Sequence, residues 1–315
     1  MNSNGKVSVI IPYYNGRKYV KETLESVLSQ TYSNIEIIVV DDCSPDERDS
    51  EYIQNLSEKI GFRLIKHEEN KGICQSLIDA VEICTGDYIA EISQDDVYMS
   101  EKIQKQISVL NRGFDAVYTG CDVRYVTDDK IVSRDLEKTR QIVESGNALK
   151  KLQLKNIPNI SIQGLLAKRS VFIEDIIQIW KEYLLDDWPV HIRLFEKYKV
   201  GYIAEPLWRV RVHDNNTSHN IWKWLGPQIE VVARMTEKSN KLEAIGDRVA
   251  SMSRRLLKQK ADSDSILRFA YAGMMLTESV ESKRKMKSIL SKISCRDKRK
   301  FARLKLSLLD SVNRE

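Results

Sequence analysis

The sequence predicts an α/β fold, a mostly parallel central sheet flanked by helices, followed by a helical basic C-terminal segment. Two observations carry this. Over residues 5–110, β-branched runs alternate with stretches of helical spacing, and parallel neighbours need a crossover that is usually a helix. Charge is also uneven: residues 221–315 hold 22 Lys and Arg against 11 Asp and Glu, whereas residues 1–220 hold 28 against 34. The two parts therefore meet different surroundings.

Val7 to Ile11 is a β-branched run that Pro12 ends. Lys18 to Gln30 sets Val20, Leu24, Val27 and Leu28 on one helical face, and Ile35 to Val40 is a second run of buried-strand character. Phe62 to Ile65 reads as a strand, Ile73 to Cys84 as a helix stopped at Gly86, Tyr88 to Ile92 as a strand, and Glu101 to Leu110 as a helix leading to Ala116 to Tyr118. Residues 128–162 keep no period and are read as a long excursion bordering the site. Ile162 to Ala167 resumes a strand, Val171 to Tyr183 and Val190 to Tyr198 are helical, and Val200 to Ala204 is a short strand before Pro206. From Ile221 onward the pattern is helical.

A chain of 315 residues with 42% hydrophobic residues can bury a large core. Its five cysteines are scattered, with no CxxC pair, which argues against a disulfide framework or zinc site and for a reducing, cytoplasmic setting. Met1 to Lys6 is polar and no long apolar run occurs, so neither a signal peptide nor a membrane span is expected. No GxGxxG follows the first strand, which excludes the common dinucleotide cradle. Nothing resembling a recognition helix, RNP motif or zinc finger accompanies the charge, so nucleic acid is not an expected partner.

The chemistry concentrates at strand ends. Ile35 to Val40 runs into Asp41-Asp42-Cys43-Ser44, and Tyr88 to Ile92 into Ser93-Gln94-Asp95-Asp96. Ligands of parallel sheets bind at the carboxyl ends of the strands. Paired carboxylates there suit Mg²⁺ or Mn²⁺, hard cations that keep positions open for water and phosphate. Acids and serines in such turns also serve as caps, and both readings stand at this point.

The linked motifs Val9 to Asn15, Ser29-Gln30-Thr31-Tyr32, Val39 to Ser44, Asn70-Lys71-Gly72, Gly86 to Ala90 and Gln94-Asp95-Asp96 resemble the family 2 glycosyltransferases of GT-A fold. A second group, Leu185-Asp186-Asp187-Trp188 with Glu205 to His213 and Ser218, is similar to that family's acidic base motif and its downstream segment. The resemblance implies that Pro12 and Tyr14 line a base pocket and that Asp42 accepts a hydrogen bond from the nucleotide base. It implies that Asp95 holds the ribose or shares the metal, and that Asp96 binds the divalent cation bridging the diphosphate. Asp187 would be the general base. His213 reads either as a hydrogen-bonded structural residue or as an imidazole that reaches the metal or the diphosphate, and Arg211 either as a phosphate clamp or as a balance for the acidic charge. Asp187 can equally cap the helix beginning near Pro189. Ser93 departs from the family's Asp-x-Asp-Asp, and a serine supplies no charged oxygen.

The resemblance divides the chain into a catalytic domain, 1–220, with a nucleotide-binding half (5–110) and an acceptor half (111–220), and a helical basic region, 221–315. It implies an inverting transfer from a nucleotide sugar to a hydroxyl of a saccharide or lipid-linked saccharide, as in bacterial surface-polysaccharide synthesis. Between Lys283 and Lys305 stand eleven Lys and Arg and one acid, with Met286, Ile289, Ile293, Phe301, Leu304 and Leu308 near helical spacing. Such a segment can lie on an anionic membrane at its inner face or pack as a helix with a solvated side. A nucleotidyltransferase would carry a glycine-rich phosphate loop, which Pro12-Tyr13-Tyr14-Asn15 does not supply. A membrane-surface scaffold without activity is the non-catalytic alternative, and donor hydrolysis separates the two.

Overall fold

The computed structural model describes residues 5–154, 157, 159–214, 216, 221–236 and 241–258, with Ile266, Ala270 and Arg284 besides. Ser218 and, Arg284 apart, the basic segment 281–315 lie outside the described residues. The chain forms two compact units, 1–152 with 156–216, and 153–155 with 217–315.

The first unit is built on one sheet of nine strands. They are β1 (Val7–Tyr13), β2 (Ile35–Asp41), β3 (Arg63–Lys66), β4 (Tyr88–Glu91), β5 (Val97–Tyr98), β6 (Ala116–Tyr125), β7 (Lys130–Val132), β8 (Leu165–Lys168) and β9 (Val200–Val212). Their order is β3-β2-β1-β4-β8-β6-β9-β5, with β7 beside β6. The half carrying β1 to β4 is wholly parallel. Antiparallel pairing enters with β8, which runs against both β4 and β6.

The helices are α1 (Val20–Leu28), α2 (Glu47–Ile60), α3 (Ile73–Ile83), α4 (Lys102–Leu110), α5 (Leu136–Glu144), α6 (Ala148–Leu154), α7 (Arg169–Val171), α8 (Ile177–Glu182) and α9 (Trp188–Lys197). A π-turn, Phe172–Ile176, joins α7 to α8. The period-two strand pattern sends alternate residues to opposite faces. Val7, Val9, Ile11 and Tyr13 enter a core with Leu24, Ile53, Ile103, Ile107 and Trp208. Ile10, outside that cluster, is fully buried too, on the other face. Each fully buried aliphatic side chain contributes about 1.5–3 kcal/mol.

Several elements differ from the sequence reading, strand β5 and the 3-10 turn Ile162–Gly164 among them. Helix α2 was not expected, because only Asp49, Ile53 and Leu56 are buried on it. Local signals start and stop it: Asp46 accepts from the Arg48 amide, and Gly61 closes it at φ 86°. Strand β9 does not end before Pro206 but runs to Val212. A register shift around Gly120 lets Pro206 pair opposite that glycine, as bulges do. The excursion folds as β7, α5 and α6.

In the second unit, α10 (Ile221–Met235) and α11 (Lys241–Lys258) pack together, burying Val231, Val232, Ala244, Val249, Met252 and Leu256. No helix of the described residues is long and apolar enough to cross a membrane.

Candidate functional site

The loops after β1, β2 and β4 are tied into one network. Asn15 and Cys43 hold positive φ, 52° and 58°, a conformation that costs about 1–3 kcal/mol and collects at functional sites. Asp42 N–H donates to the Tyr13 carbonyl at 2.9 Å, and Asn15 N–H to Ser44 Oγ at 3.0 Å. Gln94 grips the Tyr14 backbone twice, accepting from its N–H at 2.8 Å and donating to its carbonyl at 2.9 Å. Gly16 makes room for this, since a Cβ there would lie 2.1 Å from Gln94 Oε1. Tyr14 is thereby held in place, 43% exposed as a residue, beside half-buried Pro12.

Asp42 is buried and heavily satisfied. Its Oδ1 faces His67 Nδ1 at 2.8 Å and accepts the Lys71 N–H at 2.8 Å, while Oδ2 accepts the Gly72 N–H at 2.8 Å. An ionised carboxylate offers about four acceptor sites, so one remains, on Oδ2.

The acidic pair divides its work. Asp96 is 5% exposed and its Oδ1 accepts the Arg211 amide at 3.0 Å. Burial, and then the Asp95 charge, hold its carboxyl well above the usual range, against the pull of Arg211. Asp95 turns outward: its Oδ2 meets His213 Nε2 at 2.9 Å and Asn216 Nδ2 at 3.3 Å. The His213 ring stacks on Tyr19, with centroids 4.7 Å apart. His213 and Asn216 follow β9, whose passage beyond Pro206 carries them to this point.

Arg211 corrects an expectation. Its side chain is 3% exposed, with Nε donating to the Asp95 carbonyl, one terminal nitrogen paired with Glu22, and the other 3.3 Å from Thr23 Oγ1. Its Cζ lies 5.0 Å from the Tyr19 ring centroid. A guanidinium so occupied fastens the Asp95–Asp96 loop to α1 and has no fork left for a phosphate. Of the two neighbouring acids, Asp95 is the one that meets His213.

Asp187 caps α9, accepting the Trp188 amide. Beside it, burial and then the Asp187 charge push the Asp186 carboxyl up to about 7. Glu91, at the end of β4, is 1% exposed with neither carboxyl oxygen partnered among the described residues. Burial, then the charges of Asp186, Asp187 and Asp96, raise it well above the usual range. Ser93 Oγ accepts from Gln163 Nε2 at 2.9 Å. The structure thus gathers Asp95, Asp96, Arg211 and His213 into one cluster, and Gln94 ties the Tyr14 backbone to the loop that carries the two acids. Asp187 and Asp96 each act on the buried Glu91 carboxyl. Sequence reading missed Gln94, His67, Asn216 and Glu91. Glu91 left a signal, an acid inside an otherwise apolar strand, and Gln94 stood inside the Gln94-Asp95-Asp96 motif without a role.

The "Glycosyl transferase family 2" model matches residues 8–175. An uncharacterized glycosyltransferase of Rickettsia typhi is 30% identical over 251 residues, 76% of this chain and 74% of that one. Matches to longer Rickettsia relatives span 22% of those proteins. Among solved structures, S. aureus TarS 1-349 in complex with UDP superposes with a TM-score of 0.58 at 16% identity, over 90% of this chain and 88% of that one. The mannosyltransferase PcManGT of Pyrobaculum calidifontis, in complex with GDP-Man and Mn²⁺, gives 0.56 at 14%, over 95% and 84%. At such identities the likeness shows the fold.

Proposed function

Because the chain belongs to glycosyl transferase family 2, we propose that it transfers a sugar from a nucleoside-diphosphate sugar to a hydroxyl of a saccharide or lipid-linked saccharide, with inversion. The observation that carries the reading is the Asp95–His213 pair, 2.9 Å apart, beside loops that leave one Asp42 acceptor site free and Tyr14 exposed. The bound UDP and GDP-Man of the two structural neighbours support a nucleotide-sugar donor.

The pair fits a divalent cation such as Mn²⁺ or Mg²⁺, since a carboxylate oxygen and an imidazole nitrogen converge on one point. The described residues offer no group of three or more such ligands, so water and phosphate would have to supply the ion's remaining positions. Such an ion neutralises charge on a departing diphosphate. Asn216 and the Tyr19 ring hold His213 in place, and Arg211 holds the Asp95 loop. Asp187, whose Oδ1 is spent on the cap, takes the acceptor's proton through its other oxygen as that hydroxyl attacks the anomeric carbon.

Calorimetry with UDP, GDP and dTDP, each with and without Mn²⁺, tests the reading. One of them should bind tightly with the ion and weakly without it, because two phosphates would otherwise face Asp95 and Asp96. Equal affinity in both conditions removes the ion; no binding by any of them removes the function. The basic segment 281–315 is proposed to rest on an anionic membrane surface, and full-length protein that ignores anionic vesicles at low salt refutes this.

A further inference from the structure

His67 stands between two carboxylates that belong to different elements. It follows β3, its amide continuing the ladder to the Asp41 carbonyl at 2.9 Å, and its side chain is 3% exposed. Nδ1 lies 2.8 Å from Asp42 Oδ1 and Nε2 lies 2.8 Å from Asp79 Oδ2. Asp79 sits on α3 and is itself engaged: Gln75 Nε2 donates to its Oδ1 at 2.6 Å, and Lys71 Nζ is 3.7 Å from Oδ2. Nδ1 faces Asp42 and Nε2 faces Asp79, so the ring spans the two carboxylates and ties one to the other.

The bridge matters because of what it holds. Without it, Asp42 keeps only the two amides of the Lys71–Gly72 turn, and nothing ties its carboxylate to the end of β3. An ionised carboxylate only accepts hydrogen bonds. Its one free site therefore suits a base edge with a ring N–H, as in uracil, thymine or guanine, and opposes the ring-nitrogen lone pair of cytosine.

We propose that His67 is a positioning residue for nucleobase selection: bridged to Asp79, it fixes the Asp42 carboxylate so that the remaining acceptor site of Oδ2 takes a base N–H. The inference rests on the nucleotide reading of this site.

The test measures affinities for UDP, GDP and CDP, with Mn²⁺, in the full chain. Where UDP or GDP is the preferred ligand, His67→Gln should weaken it by about tenfold, the loss of one hydrogen bond to a charged group, and leave CDP nearly unchanged. Asp42→Asn should erase the same preference, and adding His67→Gln to it should cost nothing more, since His67 acts through Asp42. Asp79 borders a surface groove of about 730 Å³ with Lys66, Glu68 and Glu82. Asp79→Asn therefore gives a second variant that leaves the core intact, with a smaller loss in the same direction. The proposal is overturned if His67→Gln and Asp79→Asn keep the base preference, if they weaken UDP and CDP alike as a merely structural role would, or if the double variant is additive. If the wild type binds none of the three diphosphates, the reading of the site falls, and this inference with it.

Discussion

Replacing Arg211 by lysine separates an arginine that fastens a loop from one that grips a phosphate. Three guanidinium nitrogens of Arg211 reach three partners: the Asp95 carbonyl, Glu22 and Thr23 Oγ1. A lysine has one nitrogen and reaches one of them. Two lost hydrogen bonds at about 1 kcal/mol each, with about 0.5–1 kcal/mol for the lost guanidinium face on Tyr19, give roughly 2–3 kcal/mol. Glu22 adds little, because its side chain is 53% exposed and exposed pairs contribute under about 1 kcal/mol. With a urea dependence of about 1–3 kcal/mol per molar, the unfolding midpoint of metal-free, nucleotide-free protein should fall by about 0.7–3 M. The reasoning is refuted if Arg211→Lys keeps the wild-type urea midpoint while losing nucleotide affinity, because the guanidinium would then be meeting phosphate.

Three other outcomes are expected. Asp187→Asn should keep metal-dependent donor binding while transfer falls by about 10²- to 10⁴-fold; near-normal turnover in initial-rate assays would reduce Asp187 to a helix cap. The raised carboxyls of Glu91 and Asp186 bind protons more tightly in the folded state, so their stabilising contribution is lost as pH rises from the ordinary carboxylate range toward and past about 7. Thermal melts of metal-free protein between pH 5 and 8 should therefore slope downward, and less steeply for Glu91→Gln. Gly16→Ala should break the double Gln94 grip, because the new Cβ would lie 2.1 Å from Oε1, and calorimetry should show weaker diphosphate binding; wild-type affinity would mean that the grip does not shape the base pocket.

The local text of the chain was enough for much of the parallel half of the sheet. Val7 to Ile11, Ile35 to Val40 and Tyr88 to Ile92 are runs whose burial follows from composition alone, and all three form strands. Elements whose fate depends on a partner were less legible. Helix α2 is mostly polar and declares itself through its caps, and β9 survives Pro206 only because the facing strand shifts register at Gly120.

The sequence by itself marked Asp42, Asp95, Asp96 and Asp187 as candidates, since acids at the ends of apolar strands and the linked motifs around them are local patterns. Tertiary structure decided what each does. Arg211 and Glu22 are 189 residues apart, and His67 joins Asp42 to Asp79 across three elements. Whether an arginine faces ligand or loop, and which of two neighbouring acids meets a histidine, depends on contacts between distant segments. Those contacts exist only once burial has forced every polar group to find a partner.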